Sequence, residues 1–224
     1  MLVTSAAPAA VLFDMDGTLV DTEPYWMRAE TELVTEHGGT WTHDDALVLV
    51  GSGLWESARV FQQHGVDLDA DTIVATLTRR VQDQLESDGV PWRPGAKELL
   101  LDIRNNGVKT ALVTMSIRDM AEQIVAHIPF PAFDVLVTGD EVARPKPYAD
   151  PYLDAARKLG VHPEDCVAIE DSMNGLASAV AAGTVAIGVP HMIPLPSCDE
   201  HTLWPTLDGV SFADLAELFE ERAA

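Results

Sequence analysis

The chain has 224 residues, 47% of them hydrophobic, and carries 36 acidic against 14 basic side chains, a formal net charge of −22. The apolar share supports a real core, in one domain or one domain with an insert. No basic cluster exists to hold nucleic acid or an anionic membrane, and no apolar run approaches membrane-spanning length. Of two cysteines, Cys166 lies in an apolar run and Cys198 in a Pro-rich one. Free thiols and a cytoplasmic location are expected. Met1 to Pro8 lacks a basic n-region and a full apolar h-region, so no signal peptide is expected.

The first element is Ala9-Ala10-Val11-Leu12-Phe13, short, apolar and partly β-branched, which predicts a buried strand stopped by Gly17. Asp14-Met15-Asp16-Gly17-Thr18 follows at its carboxyl end, where open α/β sheets place ligands. Residues i and i+2 of a strand point the same way, so one carboxylate could attack an electrophile while the other handles its proton. Alone, the segment also reads as an Asp-Gly turn with solvated acids.

Strand and helix alternation then stops. From Asp21-Thr22 to about Gly89 the pattern is helical throughout. Pro24 suits a first helical position, and that helix runs to Gly38-Gly39. Thr42 with Asp45 resembles a capping box, opening a helix to Val50. A third helix follows Gly51-Ser52-Gly53 and stops near Gly65. A fourth carries Ile73, Leu77, Val81 and Leu85 at intervals of four. Such stripes pack on one another, which predicts a helical bundle inserted after the first strand. Trp26, Leu54 and Trp55 are candidates for its substrate-facing side, with packing inside the bundle the competing role for the two tryptophans.

Pro91-Trp92-Arg93-Pro94-Gly95 returns the chain to alternation, with a helix to Asn105. Val108 to Thr114 is a second strand, followed by Ser116 and a helix over Ile117 to Ala126. A hydroxyl and free N–H groups at a helix start form an anion site, although Ser116 also reads as an ordinary cap. A strand over Phe133 to Thr138 comes next, then Ala143-Arg144-Pro145-Lys146-Pro147. Prolines on both sides stiffen the loop around Lys146, and a fixed ammonium suits a phosphoryl group, while a solvated surface lysine is the ordinary alternative. A helix runs from Pro151 to Gly160. Cys166-Val167-Ala168-Ile169-Glu170-Asp171-Ser172 is an apolar strand ending in paired acids, which suit a hard cation such as Mg2+, or supply a helix cap. A small-residue helix to Gly183 and a strand over Val185 to Val189 follow. Residues 190–206, with Pro190, Pro194, Pro196 and Pro205, read as loop, and Ser211 to Phe219 as a closing helix. His191 reads as a surface loop histidine. The alternation predicts an α/β fold built on a doubly wound parallel sheet.

Acidic pair, hydroxyl, lysine and second acidic pair, in that order, resemble the haloacid dehalogenase superfamily, nearest its β-phosphoglucomutase and sugar-phosphate phosphatase subgroup. The resemblance covers nearly the whole chain. It implies a Rossmann-like core over 1–22 and 91–224, with residues 23–90 as a helical cap. It also implies that Asp14 is a nucleophile forming an aspartyl phosphate and Asp16 the general acid/base. Thr114 and Lys146 would then hold phosphate. Mg2+ would be bound by Asp14, Asp16 through its backbone carbonyl, and Asp171, with Glu170 a ligand or its neighbour. The expected activity is Mg2+-dependent hydrolysis of a small phosphorylated metabolite, a sugar or polyol phosphate, by a cytoplasmic monomer without nucleic-acid or membrane partners. Mutase chemistry is the alternative. The family's mutases carry a cap Arg just after the position of Gly51, where this chain reads Ser52-Gly53-Leu54-Trp55. A mutase histidine falls at or near Trp26 and a mutase lysine near Thr76, close to Arg79 and Arg80. Two further rivals are weaker. A phospho-acceptor signalling domain lacks Asp-x-Asp-Gly-Thr and a helical insertion, and a carbon-halide hydrolase has no use for a proton donor at Asp16.

Overall fold

The computed structural model describes residues 7–223. The reading of Met1 to Pro8 therefore falls, up to residue 6, outside the described residues. Six parallel strands form the sheet: β1 (Ala10–Phe13), β2 (Lys109–Val113), β3 (Val135–Val137), β4 (Cys166–Glu170), β5 (Val185–Gly188) and β6 (His201–Leu203). Their spatial order is β3-β2-β1-β4-β5-β6. The order runs outward in both directions from β1, so the crevice above β1, β2 and β4 is the switch point of the sheet.

Alternation along β1 splits the core. Val11 and Phe13 join the larger apolar cluster on one face, and Ala10 and Leu12 join the other, with Tyr152 and Ala155. All four are fully buried, as befits a central parallel strand covered on both faces. Between β1 and β2 the chain makes α1 (Glu23–Glu36), α2 (His43–Leu47), α3 (Leu54–Gln63), α4 (Ala70–Asp88) and α5 (Ala96–Asn105). The first four are the helical cap. Ile73, Leu77, Val81 and Leu85 of α4 are all buried. Each such side chain contributes about 1.5–3 kcal/mol by leaving water. Thr42 and Asp45 form the capping box of α2. The remaining helices are α6 (Arg118–Val125), α7 (Asp150–Leu159), α8 (Met173–Ala181) and α9 (Phe212–Ala223).

The two segments joining cap and core lie side by side. Asp21 N–H donates to Pro91 O at 2.7 Å, Arg93 N–H to Leu19 O at 3.0 Å, and Val20 bridges Trp92. His191 ties them together rather than lying on the surface. Its Nδ1 accepts from Arg93 Nη1 at 2.7 Å and its Nε2 donates to Asp21 Oδ1 at 2.7 Å.

Two elements differ from the sequence pattern. Residues 190–206 are not all loop, because His201–Leu203 adds β6 to the edge of the sheet. Three residues between prolines carry no alternation to detect; the edge is made by pairing with β5. The helix opened by Thr42 ends at Leu47, and the chain turns through 48–51 to Gly51, whose φ is +74°. Cys166 and Cys198 are both free. Among the described residues, no helix is long and apolar enough to cross a membrane.

Candidate active site

Three central strands deliver the site. Phe13, Leu112 and Ile169 stand level in the sheet. Asp14 and Asp16 therefore leave β1 beside Thr114 and Ser116 beyond β2, and beside Glu170 and Asp171 at the end of β4. The loop after β3 adds Lys146.

Lys146 is 2% exposed, far from the usual fate of a lysine. Its Nζ meets Asp14 Oδ1 at 2.7 Å, Glu170 Oε1 at 2.6 Å and Val113 O at 2.9 Å. Burial pulls its pKa down, but Asp14 and Glu170 outweigh burial and hold it above the ordinary value. Tyr152 donates to the same Glu170 oxygen at 2.5 Å, fixing the carboxylate from below.

Asp14 and Asp16 occupy contrasting environments. Asp16 is fully engaged: Thr22 and Trp26 donate to Oδ1, the latter at 3.4 Å, and Ser116 at 2.7 Å and Thr114 at 3.3 Å donate to Oδ2. Donors thus reach it from both core and cap. Asp14 Oδ2 is buried with no partner. Burial first, then the neighbouring Glu170, push the Asp14 pKa up to about 7 against the pull of Lys146. Asp171 is raised too, by burial and then by Asp14 and Glu170.

Three carboxylates thus crowd about one ammonium, which pairs with Asp14 and Glu170. Asp14, Glu170 and Asp171 bring ligand oxygens within 4.8 Å of one another, and each leaves one oxygen unbonded. An all-oxygen, buried, charge-deficient set fits a hard divalent cation. Gly17 allows the approach. A Cβ there would stand 2.0 Å from Asp171 Oδ2, and its φ is +87°.

A model of haloacid dehalogenase-like hydrolases matches residues 8–183. The chain belongs to this family. It is 34% identical over 191 residues to hexitol phosphatase A of Escherichia coli, covering 84% of this chain and 86% of that protein. Fructose-1-phosphate phosphatase YqaB of E. coli is 33% identical over 186 residues, 81% of this chain and 96% of that one. The crystal structure of a CbbY mutant from Rhodobacter sphaeroides with xylulose-1,5-bisphosphate superposes with TM-score 0.83. It is 29% identical and covers 93% of this chain and 99% of its own. This haloacid dehalogenase-like chain is a phosphoric monoester hydrolase.

In the hydrolase, Asp14, Asp16, Thr114, Lys146 and Asp171 line one cavity, and Glu170 lies beneath it against Lys146. Trp26 and Leu54 line the cap side. Trp55 does not. Its Nε1 donates to Asp71 Oδ1 at 2.7 Å, so its polar edge is used within the cap. Ser116 is no helix cap, since Ile117 holds that position; its hydroxyl turns to Asp16 instead. Ser172 is the cap of α8, accepting from Gly175 N at 3.1 Å. Glu23 and Glu30 of α1 line the cavity as well. Neither stands out in the sequence, although their i, i+7 spacing with Trp26 between them puts all three on one helix face.

Proposed function

We propose that the chain is a Mg2+-dependent phosphatase for the monophosphate of a sugar or polyol, working through an aspartyl phosphate on Asp14. The observation that carries this is the unpartnered Asp14 Oδ2, held at the switch point with Lys146 on its other oxygen. That oxygen attacks phosphorus, and the bond from phosphorus to the leaving oxygen breaks. Asp16 delivers a proton to the leaving oxygen, then takes one from the water that hydrolyses the aspartyl phosphate. Thr114 and Lys146 orient and neutralise the phosphoryl oxygens. Asp14, Asp171 and the Asp16 carbonyl would hold Mg2+, with Glu170 supporting Lys146. The ion would supply the positive charge that lets a carboxylate approach a phosphate. Residues 1–22 and 91–224 act as the catalytic unit and 23–90 as its cap.

The substrate class follows from the relatives named hexitol and fructose-1-phosphate phosphatases and from charge in the cavity. Among the described residues that line it, Lys146 is the sole cation. Arg79 pairs with Asp83, and Arg80 with Glu32 and Glu36. Neither lines the cavity, so no second phosphate is received there. The test is phosphate release from p-nitrophenyl phosphate and a panel of hexitol and sugar phosphates, with and without Mg2+ and with chloroacetate as control. Halide release, or no phosphate release from any ester, refutes the assignment. With β-glucose 1-phosphate and a trace of glucose 1,6-bisphosphate, glucose 6-phosphate appearing faster than free phosphate would establish a mutase instead.

A further inference from the structure

The cap side of the cavity carries two acids that the proposed chemistry does not use. Glu23 is nine-tenths buried and has no hydrogen-bond or ion-pair partner among the described residues. Glu30, two turns further along α1, is as deeply buried, and its Oε2 accepts from Trp41 Nε1 at 3.1 Å. Among the described residues, none donates to its other oxygen. Around Glu30 the walls are apolar: Leu49, Phe61, Val74 and Leu77. A carboxyl in such a setting is costly unless a ligand completes its hydrogen bonds.

α1 sets the spacing. Thr22 and Trp26 touch Asp16, the proposed acid at the leaving oxygen. Glu30 lies one helical turn beyond Trp26 on the same face, a rise of about 6 Å. A group it binds must therefore sit several atoms beyond the phosphoester oxygen.

We propose that Glu30, aided by Glu23, is the specificity-determining residue that receives the distal hydroxyls of a monophosphorylated polyol. This deepens the phosphatase assignment and rests on it. A hydroxyl both donates and accepts, and so does a carboxyl that is partly protonated. Burial pushes Glu30 up to about 7, against the bond from Trp41, and burial followed by Asp16 pushes Glu23 up to about 8. A terminal phosphate in the same place would face two acids and no cation, and is excluded. Size alone would not read chain length, because the apolar walls reward any hydrocarbon.

The experiment compares kcat/KM for glycerol 3-phosphate, erythritol 4-phosphate and sorbitol 6-phosphate, each divided by that for p-nitrophenyl phosphate. In the wild type the ratio rises steeply with the polyol long enough to reach Glu30. Glu30→Gln keeps the shape and an acceptor for Trp41, and lowers the sorbitol ratio roughly tenfold through KM, the loss expected for one strong hydrogen bond. Trp41→Phe removes the protein donor but leaves the carboxyl, and preserves the step in chain length. A wild-type series with no such step overturns the inference. So does a Glu30→Gln ratio equal to wild type, or a Trp41→Phe protein that loses the step as Glu30→Gln does, since Glu30 would then serve only Trp41. The wild-type series stands even where a variant fails to fold. Failure to hydrolyse any ester, p-nitrophenyl phosphate included, refutes the phosphatase assignment itself.

Discussion

Asp14→Asn is expected to destroy activity and to stabilise the metal-free protein. The Asp14 carboxyl titrates near 3.8 in the unfolded chain and at about 7 in the fold, because burial and Glu170 oppose its charge. The folded state therefore binds that proton more tightly than the unfolded one. Between the two values the unfolded chain has lost its proton and the folded one keeps it, so stability falls as pH rises from about 4 to about 7. Three units at 1.36 kcal/mol each amount to about 4 kcal/mol lost above pH 7. Asn cannot ionise, and its carbonyl still accepts from Lys146. The variant should match wild type near pH 4 and exceed it by a few kcal/mol at pH 8, a rise in Tm of roughly 8–16 °C for a chain of this size. Urea or thermal unfolding in EDTA across pH 4–9 measures it. Saturating Mg2+ should narrow the gap, because it stabilises the wild-type carboxylate. Turnover falls by several orders of magnitude at every pH. A variant no more stable than wild type at pH 8 without metal refutes the claim that Asp14 is held against its own charge.

Asp171→Ala should abolish stimulation by Mg2+, and Ca2+ should inhibit the wild type because its longer, looser coordination misplaces the phosphate; full activity in excess EDTA would contradict both. Gly17→Ala sets a Cβ 2.0 Å from Asp171 Oδ2 at a backbone φ of +87°. It should weaken Mg2+-induced thermal stabilisation as well as turnover, and an unchanged Mg2+ titration would count against Asp171 as a ligand. The cavity measures about 80 Å3, well below the roughly 300–1,000 Å3 of an ordinary ligand cleft, so entry of the proposed substrate is expected to require opening of the cap. Gly53→Cys with Pro145→Cys brings Cβ positions to 3.4 Å across cap and core, close to disulfide spacing. The oxidised protein should turn over slowly and recover on reduction, whereas equal turnover in both forms would show that closure is irrelevant.

Local chemistry made much of the fold legible. Asp14 to Thr18 announces a strand end because an apolar run stops at two acids and a glycine. Lys146 stands out because flanking prolines restrict it. The cap helices show because Ile73, Leu77, Val81 and Leu85 repeat at a helical interval and Thr42 with Asp45 caps a turn. What stayed hidden depends on partners distant in sequence. Three residues of β6 become a strand only by pairing with β5. Ser116 carries the same signal whether it caps α6 or binds Asp16. Trp55 and Trp26 are alike in sequence, yet one reaches Asp71 and the other Asp16. Glu23 and Glu30 look like any acids on an amphipathic helix until the bundle closes over them.

The net charge of −22 makes the arrangement of the site intelligible. An acidic protein repels a phosphate dianion at long range, so attraction has to be local and low in dielectric. Lys146 supplies part of it, but Asp14 and Glu170 already occupy its ammonium. The core end of the cavity is thus short of positive charge even before a phosphate arrives. A divalent cation bound here would relieve Asp14 and Asp171 of their mutual repulsion and present positive charge to the substrate, which would couple metal binding, stability and catalysis through one group of carboxylates. At the cap end the excess acid has the opposite consequence. With no cation among its described lining residues, that end would accept hydroxyls and refuse a second phosphate. On the proposed assignment, one cavity would distinguish the two ends of a sugar or polyol monophosphate by charge before any fit of shape is involved.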